Sequence, residues 1–301
     1  MGSADGRDLA YRGCVWVYRY AVVTGANKGI GLETVRQLAS QGITVVLTAR
    51  DEKRGTEATR KLHQFGLSNV VFHQLDVLDS LSIQSLAKFI QDTFGRLDIL
   101  VNNAGTSGAE ADEKDIEALN IDPADWQLSG KARNLVQGII THTYEQGEAC
   151  INTNYYGVKR VTESFLPLLQ LSPTGARIVN VSSCRGELKR IPIQHIRNEL
   201  QDIKTLSEEG IDATLKKFLH DLKDNALEAN EWTMMLPSYS ISKASLNAYT
   251  RILAKKYPNM LINCVHPGFV NTDLTLHNGI LTVEEGAKGS VMLALLPDTG
   301  P

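Results

Sequence analysis

Apolar runs of strand length that alternate with helical stretches are the feature that most constrains the fold of this chain. The strand-length runs lie at 20–24, 43–48, 70–75, 97–101, 177–182 and 260–265. Helical stretches separate them at 30–41, 52–65, 80–94, 145–170 and 237–257. Strands that are apolar throughout, rather than at every second position, are typical of a parallel sheet buried on both faces. The sequence therefore predicts a doubly wound α/β fold, with a mostly parallel sheet and helices on both faces.

Two polar segments interrupt this alternation, at 106–147 and 185–236. Both follow predicted strands, at the carboxyl edge of the sheet where open α/β folds bind ligands. Because neither has a strand–helix alternation of its own, we interpret them as insertions in a single domain over 19–301, the first a flap and the second helical. The segment 1–18 mixes charged residues and glycines without a clean apolar run, so we expect a poorly ordered extension rather than a signal peptide.

The composition narrows the class of protein. With 301 residues, 43% of them apolar, the chain can build a substantial hydrophobic core. The formal net charge of −3 offers no strong field for nucleic acid or an anionic membrane. No apolar run approaches the ~18 residues of a membrane-spanning helix. The four cysteines show neither paired nor metal-like spacing, which predicts reduced thiols, no metal site and a cytoplasmic location.

The first predicted strand leads into a glycine-rich turn, Thr24-Gly-Ala-Asn-Lys-Gly-Ile-Gly31. Glycines here would let the backbone turn tightly and approach a pyrophosphate, and the N-terminus of the following helix would favour the phosphates. The spacing differs from the usual Gly-x-Gly-x-x-Gly of Rossmann folds, so a purely structural turn is the alternative. We predict dinucleotide contacts from Gly25, Asn27, Lys28, Gly29, Ile30 and Gly31.

The end of the second predicted strand bears on the choice of cofactor. Arg50 stands about 20 positions after the glycines, where an acidic residue would hold a ribose hydroxyl and an arginine accommodates a 2′-phosphate. Arg50 and Lys28 together favour NADPH/NADP+, and Arg54, one helical turn further, could support the same phosphate. The acidic residue Asp51 follows Arg50 directly and argues against this choice of cofactor. Arg50 could also simply face solvent.

Two further strand ends suit a dinucleotide, although each alone is more often a turn than a binding site. Asp76 and Val77 close the third predicted strand and would meet the adenine, with the Asp76 carboxylate accepting from its amino group. The fourth strand closes with a segment of mostly small residues that would approach a ribose. The predicted contacts there are Asn103, Ala104 and Gly105.

A tyrosine and a lysine lie four residues apart in Tyr239-Ser-Ile-Ser-Lys243, on a predicted helix. This spacing places both side chains on one helix face. A lysine ammonium beside a phenol favours the phenolate, so the tyrosine would exchange a proton more readily than its usual pKa of about 10 suggests. The same spacing arises by chance on many surface helices, so its weight depends on the other motifs.

Taken in order, these motifs resemble those of the short-chain dehydrogenase/reductase family over about 19–300. The matching motifs are the glycine turn, Asn102-Asn-Ala-Gly105, Asn154, Ser183, Tyr239 with Lys243, and Pro267-Gly268. The long stretch between Ser183 and Tyr239 is similar to the monomeric carbonyl reductase branch, in particular to a plant group of salutaridine and menthone/neomenthol reductases. In that branch a helical insertion covers the tyrosine helix, which implies a monomer.

The resemblance implies a role for each matched residue. Tyr239 would donate a proton to the carbonyl oxygen, and Ser183 would hydrogen-bond the same oxygen. Lys243 would hold the nicotinamide ribose and lower the pKa of the tyrosine. Asn154 would order a water that links the lysine to solvent. The segment after the sixth strand would cradle the nicotinamide, with Pro267, Gly268, Val270 and Thr272.

The resemblance therefore implies NADPH-dependent reduction of a ketone on an apolar cyclic or aromatic small molecule. An enone double-bond reductase of the same branch is an alternative, although a relative of that kind replaces the tyrosine present here. A catalytically silent NADPH-binding protein is a third hypothesis. It is favoured by the end at Pro301, where relatives usually continue into a final strand, so that we expect an unpaired sheet edge and a less closed pocket.

Overall fold

The computed structural model describes residues 18–119, 121–122, 136 and 138–297. Six strands form one sheet, and all strand pairs are parallel. The strands are β1 (Tyr20–Val23), β2 (Thr44–Ala49), β3 (Val70–Gln74), β4 (Ile99–Asn102), β5 (Arg177–Val181) and β6 (Leu261–Val265). Their order is β3-β2-β1-β4-β5-β6, which is the doubly wound arrangement. The predicted fold is confirmed, with all six strands at the expected positions.

Helices follow the strands as the sequence pattern indicated. They are α1 (Gly29–Ser40), α2 (Glu52–Gln64), α3 (Ser80–Phe94), α4 (Glu113–Ala118), α5 (Tyr144–Ile151), α6 (Val158–Leu169), α7 (Gln194–Gln201), α8 (Glu208–Lys223), α9 (Pro237–Lys256) and α10 (Val283–Ala294). The single helix expected over 145–170 is instead divided by a π-helical turn, Asn152–Gly157, between α5 and α6. None of the helices in the described part of the chain has the length and apolar character needed to cross a membrane.

Both faces of the sheet are buried, which explains why the strands lack alternation. Successive side chains of a strand point to opposite faces. Val22 of β1 therefore joins the cluster under α3, α6 and α9, whereas Ala21 and Val23 join the one under α1, α2 and α10. Ala21, Val22 and Val23 thus each meet an apolar layer, and polar residues at alternate positions would remain unpaired.

The strand order reverses between β2 and β4, which both pair with β1. The connections that follow β1 and β4 therefore diverge, and a crevice opens at their carboxyl ends. The glycine turn begins there, where the backbone N–H of Thr24 donates to the Val101 carbonyl at 3.0 Å. This switch point is where the site lies.

Residues in or next to both interrupting segments line the site. In 185–236, α7 and α8 bury apolar side chains, among them Ile196 and Phe218, in the cluster that also holds Tyr249 of α9. In 106–147, the described residues include a bridge between Glu110 and Thr141 and the short α4. Residues 120, 123–135 and 137 of this segment lie outside the described residues, as do residues 1–17 of the extension expected over 1–18.

An apolar roof lies over the carboxyl end of the sheet. Its centre is formed by Ile116, Val136 and Met235, from three separate parts of the chain. Leu236 and Leu276 pack against this centre, and both have left-handed backbone conformations, with φ of 49° and 48°. The roof therefore depends on long-range packing and not on one continuous element.

Candidate active site

The glycine turn after β1 adopts a backbone that requires glycine. Gly25 and Gly29 are left-handed, with φ of 63° and 57°. A Cβ at Gly25 would lie 2.9 Å from the Cα of Ala104, and one at Gly31 would lie 2.4 Å from the side-chain amide nitrogen of Asn103. The turn thus leaves a cradle free of side chains in front of α1, as a bound pyrophosphate needs.

Asn103 and Ala104, after β4, hold this turn in place. The Asn103 side-chain amide donates to the carbonyls of Thr24 at 2.9 Å and Gly25 at 3.0 Å. The backbone N–H groups of Asn103 and Ala104 donate to the Thr24 hydroxyl at 2.9 and 3.0 Å. The Asn103 side chain is thus committed to the shape of the glycine turn, and the approach of this segment to a ribose was expected from its backbone.

A first cavity, of about 420 Å³, opens in front of the glycine turn. Its lining unites most of the predicted cofactor residues: Gly25, Asn27, Lys28, Gly29, Ile30, Gly31, Arg50, Asp76, Val77, Asn103, Ala104, Gly105, Tyr239, Lys243, Pro267 and Thr272. Asp76 lies at the end of β3, and one of its carboxylate oxygens accepts from the Leu78 N–H at 2.9 Å. These residues fit a dinucleotide, with the cradle for its pyrophosphate and Arg50 and Lys28 as cations.

Three predicted cofactor residues do not line this first cavity. Arg54 is 71% exposed and faces Asp51 of its own helix turn, with 3.9 Å between the guanidinium Nε and a carboxylate oxygen. Helix α2 directs the Arg54 side chain to solvent in this geometry, and its support of a phosphate stays a prediction. Gly268 and Val270 instead line a second cavity, described below.

Lys28 forms an ion pair with Asp273, a residue that sequence reasoning missed. Asp273 opens a short turn after β6, and the hydrogen bond from Lys28 holds the pKa of its carboxyl below the usual value. The pair joins the glycine turn to the loop after β6 across the first cavity, which both residues line. The one available signal was position, because Asp273 directly follows the predicted Thr272.

A second cavity, of about 390 Å³, lies beside the first and under the apolar roof. Its lining is largely apolar and includes Ile116, Ile140, Leu236, Phe269 and Leu276. Polar groups in the lining include Ser183, Cys184, Arg185, His266, Glu110 and Asp273. Residues shared by both cavities mark where they meet: Ile30, Ser182, Tyr239, Pro267, Thr272, Asp273 and Leu274.

Tyr239 stands at this junction and hydrogen-bonds Ser183. Ser183 follows β5 and caps a 3-10 turn, Cys184–Gly186, where its hydroxyl accepts from the Arg185 N–H at 3.1 Å. Helix α9 and the end of β5 thus bring two hydroxyl groups to one point between the cavities. A carbonyl oxygen bound there could accept hydrogen bonds from both.

Lys243 lies one helical turn after Tyr239 and is only 4% exposed. Its Nζ donates to the Val181 carbonyl at 2.8 Å and lies 5.6 Å from the centre of the Tyr239 ring. Burial lowers the pKa of Lys243 to about 8, against a smaller opposite effect of Cys150. Tyr239 and Lys243 thus lie on one helix face, as predicted, and Lys243 is mostly protonated at neutral pH.

The pKa of Tyr239 differs from the sequence-based expectation. Burial of the phenol raises this pKa, and the hydrogen bond with Ser183 acts in the opposite direction. Cys150 and Cys184 raise it further, whereas the charge of Arg185 lowers it. The expected net lowering by Lys243 was therefore wrong for this structure, because desolvation of the phenolate outweighs the nearby positive charge.

Asn154 lies in the π-helical turn, fully buried beside the first cavity. Its amide nitrogen donates to the Thr106 carbonyl at 2.9 Å, and its amide oxygen accepts from the Thr106 N–H at 2.9 Å. A Cβ at Gly105 would lie 3.2 Å from the Asn154 amide oxygen and 3.7 Å from the Lys243 Nζ. Asn154 and Lys243 thus flank Gly105. An inserted π turn is a frequent feature of functional sites.

No cluster of three or more histidine, cysteine or acidic side chains suited to a metal ion occurs among the described residues. Besides Asp273, sequence reasoning missed Arg185, which lines the second cavity beside Ser183. Both missed residues are charged and stand within two positions of a predicted site residue. That proximity was a signal, although sequence alone does not show which way a side chain points.

Comparisons with known proteins agree with this geometry. Residues 19–129 match the family model described as short chain dehydrogenase. "Short-chain dehydrogenase/reductase 1" of Saponaria officinalis is 52% identical over 94% of this chain and 92% of its own length. (-)-Isopiperitenone reductase of Mentha piperita is 47% identical over 95% of each chain.

Among solved structures, salutaridine reductase from Papaver somniferum superposes with a TM-score of 0.88 at 47% identity, over 94% of this chain and 97% of the other. The fold, the pairing of Tyr239 with Ser183 where the cavities meet, and these similarities over nearly the whole chain all indicate the same family. The chain belongs to the short-chain dehydrogenase/reductase family and is an oxidoreductase.

Proposed function

We propose that the protein reduces a ketone on an apolar cyclic or aromatic small molecule to the alcohol, with NADPH as the cofactor. The observation that carries the proposal is the position of Tyr239, hydrogen-bonded to Ser183 where a glycine-lined cavity meets an apolar one. The similarity to salutaridine reductase supports a cyclic, largely apolar substrate.

The choice of NADPH rests on charge in the first cavity. Arg50 and Lys28 both line it, and two cations suit the additional phosphate that distinguishes NADPH from NADH. Asp76, two residues after β3, would accept from the adenine amino group. Lys28 would exchange its partner Asp273 for that phosphate, because an exposed ion pair is weak.

When bound, the nicotinamide would supply the hydride. Tyr239 would pass its phenolic proton to the carbonyl oxygen, and the Ser183 hydroxyl would hydrogen-bond the same oxygen as negative charge develops. Lys243, held by the Val181 carbonyl, would bind the cofactor ribose and return a proton to Tyr239. Asn154, fixed by Thr106, would hold a water that connects this lysine to solvent.

The apolar lining of the second cavity supports the proposed substrate class. Ile116, Leu236 and Leu276 come from three separate segments, so they form a closed wall only in the folded chain. A polar, strongly hydrated substrate would lose its water without replacement hydrogen bonds along this wall, which is costly. We include the segment 106–147 in the substrate site as a flap.

We also propose a cytoplasmic monomer whose domain spans 19–301. Helices α7 and α8 pack on α9 and cover apolar surface that a partner subunit would otherwise bury. Sedimentation velocity at micromolar concentration tests this directly. A stable dimer would contradict the proposal.

The decisive experiment measures NADPH oxidation over a panel of menthone-like, alkaloid and quinone carbonyl compounds, for the wild type and Tyr239→Phe. We expect Tyr239→Phe to remove most of the turnover, because the proton donor is lost, and to leave NADPH affinity nearly unchanged. NADPH binding with no turnover of any carbonyl, and no effect of the substitution, would instead support a catalytically silent binding protein.

A second candidate function is reduction of an enone double bond, favoured by the similarity to (-)-isopiperitenone reductase. The presence of Tyr239 beside Ser183 argues for the carbonyl, since both hydroxyls converge on one oxygen. Product analysis of a cyclic enone separates the two functions. An allylic alcohol supports carbonyl reduction, and a saturated ketone supports double-bond reduction.

A further inference from the structure

Asn247 attaches the loop 182–186, which carries Ser183, to helix α9, although it lines neither cavity. It lies one helical turn after Lys243 on α9, and its side chain is partly buried. The Ser182 hydroxyl donates to the Asn247 amide oxygen at 2.6 Å. The Asn247 amide nitrogen donates to the Gly186 carbonyl at 3.1 Å. One side chain therefore contacts the loop on both sides of Ser183.

These two partners fix the orientation of the Asn247 amide. A backbone carbonyl such as that of Gly186 only accepts hydrogen bonds, so the amide nitrogen must face it. The amide oxygen then faces the Ser182 hydroxyl, which donates. Both contacts together need an amide. An aspartate would set a carboxylate oxygen against the Gly186 carbonyl, and an aliphatic side chain would make neither hydrogen bond.

Close packing holds the same loop against the backbone of α9. A Cβ at Gly186 would lie 2.7 Å from the carbonyl carbon of Lys243 and 2.8 Å from the Asn247 amide nitrogen, so only glycine fits there. The Lys243 Nζ donates to the Val181 carbonyl at 2.8 Å, directly before Ser182. Because Lys243 and Asn247 share one face of the helix, they hold the end of β5 and the loop together.

Ser183 lies in a compact turn inside this loop. Its hydroxyl accepts from the Arg185 N–H at 3.1 Å, and its carbonyl accepts from the Gly186 N–H at 3.0 Å. Because Gly186 closes this turn, a movement of Gly186 away from α9 would also move the Ser183 hydroxyl. Tyr239 lies roughly two turns before Asn247 on the same helix. The distance between the Ser183 and Tyr239 hydroxyls therefore depends on how the loop contacts α9.

We propose that Asn247 is a positioning residue for ketone reduction, which holds the Ser183 hydroxyl at hydrogen-bond distance from the oxygen that Tyr239 protonates. This inference rests on the proposed function. Asn247 lines neither cavity, so its effect reaches the reaction only through the loop 182–186. A hydrogen-bond donor stabilises developing charge best when it is placed in advance, and a displacement of about 1 Å can lower the rate by about 100-fold.

The test compares two Asn247 variants with the wild type. Asn247→Leu removes both hydrogen bonds, and leucine has a similar size and favours a helix, so α9 should be retained. Asn247→Asp keeps the acceptor for Ser182 but sets a carboxylate against the Gly186 carbonyl, so it must act in the same direction. Thermal unfolding verifies that each variant is folded.

Thr250→Val is a matched control, because it breaks another contact between α9 and β5. The Thr250 hydroxyl accepts from the Asn180 side-chain amide at 2.9 Å, and both residues are buried. The substitution leaves the Asn180 amide without this partner and lowers stability, but the contact lies before the loop 182–186. An effect that came from lost stability alone would therefore appear in this control as well.

Amide hydrogen exchange, followed by NMR in the complex with NADP+, measures the attachment of the loop without a substrate. The reporters are the N–H groups of Arg185 and Gly186, which both donate to Ser183. We expect both to exchange about tenfold faster in Asn247→Leu, because the loop loses two hydrogen bonds. Thr250→Val should change their exchange by less than about twofold. Unchanged exchange in folded Asn247 variants would overturn the proposal.

Turnover of a ketone from the carbonyl panel tests the role in the reaction. We expect Asn247→Leu to lower kcat by about 10- to 100-fold and to leave KM and NADPH affinity nearly unchanged, because the Ser183 hydrogen bond strengthens as charge develops. Thr250→Val should lower kcat by less than about threefold.

A double-variant cycle with Ser183→Ala shows whether Asn247 acts through Ser183. In that background Asn247→Leu should lower kcat by less than about threefold, because the group that it positions is absent. An equal loss of kcat in both backgrounds would overturn the proposal and leave Asn247 a purely structural role.

The exchange and kinetic measurements separate this inference from the proposed function. Faster exchange without reduction of any carbonyl would contradict the proposed function and support the attachment of Ser183 by Asn247. Faster exchange with an unchanged kcat, for a ketone that the wild type reduces, would contradict the positioning role alone.

Discussion

The ion pair between Lys28 and Asp273 leads to a prediction about cofactor selectivity. Both side chains are 59% exposed and join the glycine turn to the loop after β6. If Lys28 binds the additional phosphate of NADPH, it must first leave Asp273. Asp273→Asn removes this competing partner, so NADPH should bind more tightly. NADH lacks the phosphate and leaves the ion pair in place, so its affinity should change less.

The size of this effect follows from the exposure of the pair. An exposed ion pair contributes roughly 0.2–1 kcal/mol, because water screens both charges. Since 1.4 kcal/mol corresponds to a tenfold change, the ratio of the NADH and NADPH dissociation constants should rise by about 1.5- to 5-fold. The gain should shrink at high ionic strength, as for any interaction between exposed charges.

Fluorescence titration of both cofactors with the wild type, Asp273→Asn, Lys28→Met and the double variant provides the measurement. Use of the ratio cancels any effect of the Asp273 charge on the pyrophosphate, which both cofactors share. Asp273→Asn should lose its effect on the ratio when Lys28 is already methionine. A ratio that falls in Asp273→Asn, or that rises equally in the Lys28→Met background, would refute the argument.

Two further predictions concern stability. Because burial lowers the pKa of Lys243 from 10.5 to about 8, the unfolded state binds more protons between these pH values, so stability rises with pH over that window. In urea unfolding, the free energy of unfolding of the wild type relative to that of Lys243→Met should rise by up to about 3 kcal/mol from pH 8 to 10.5. A difference that does not change with pH would contradict burial of the charge. Asn154→Ala removes two part-buried hydrogen bonds with the Thr106 backbone and should cost roughly 1–3 kcal/mol of unfolding free energy. Asn152→Ala in the same turn is its control, and an equal loss in both variants would assign the effect to the turn itself.

Local patterns in the sequence predicted the elements well, for a physical reason. Strand and helix propensity act over a few residues, and burial on both faces of a sheet requires uninterrupted apolar runs such as that of β2. The left-handed backbone at Gly25 and Gly29 likewise follows from residue type and position. The division of the helix at 145–170 was not predictable in this way, because Gly157 at the end of the turn does not by itself indicate a π-helical insertion.

The candidate site was predictable where a residue type has one dominant use at a given position. Tyr239, Ser183 and Lys243 converge as expected because a strand end and a helix face define their directions. The direction of the Arg54 side chain was less predictable, since a long side chain at the start of a helix can turn to solvent or inward with little difference in energy. In this structure the side chain turns to solvent and pairs with Asp51.

The sequence by itself determined the parallel sheet, the glycine turn and the tyrosine–lysine face, since each depends on neighbouring residues and on backbone sterics. Only the tertiary structure decided that Lys28 meets Asp273 and that Arg185 lines the second cavity beside Ser183. It also decided the direction of the Tyr239 pKa, because desolvation sums over every surrounding element. Electrostatic energies depend on distance and burial in space, and neither quantity is written in the order of the residues.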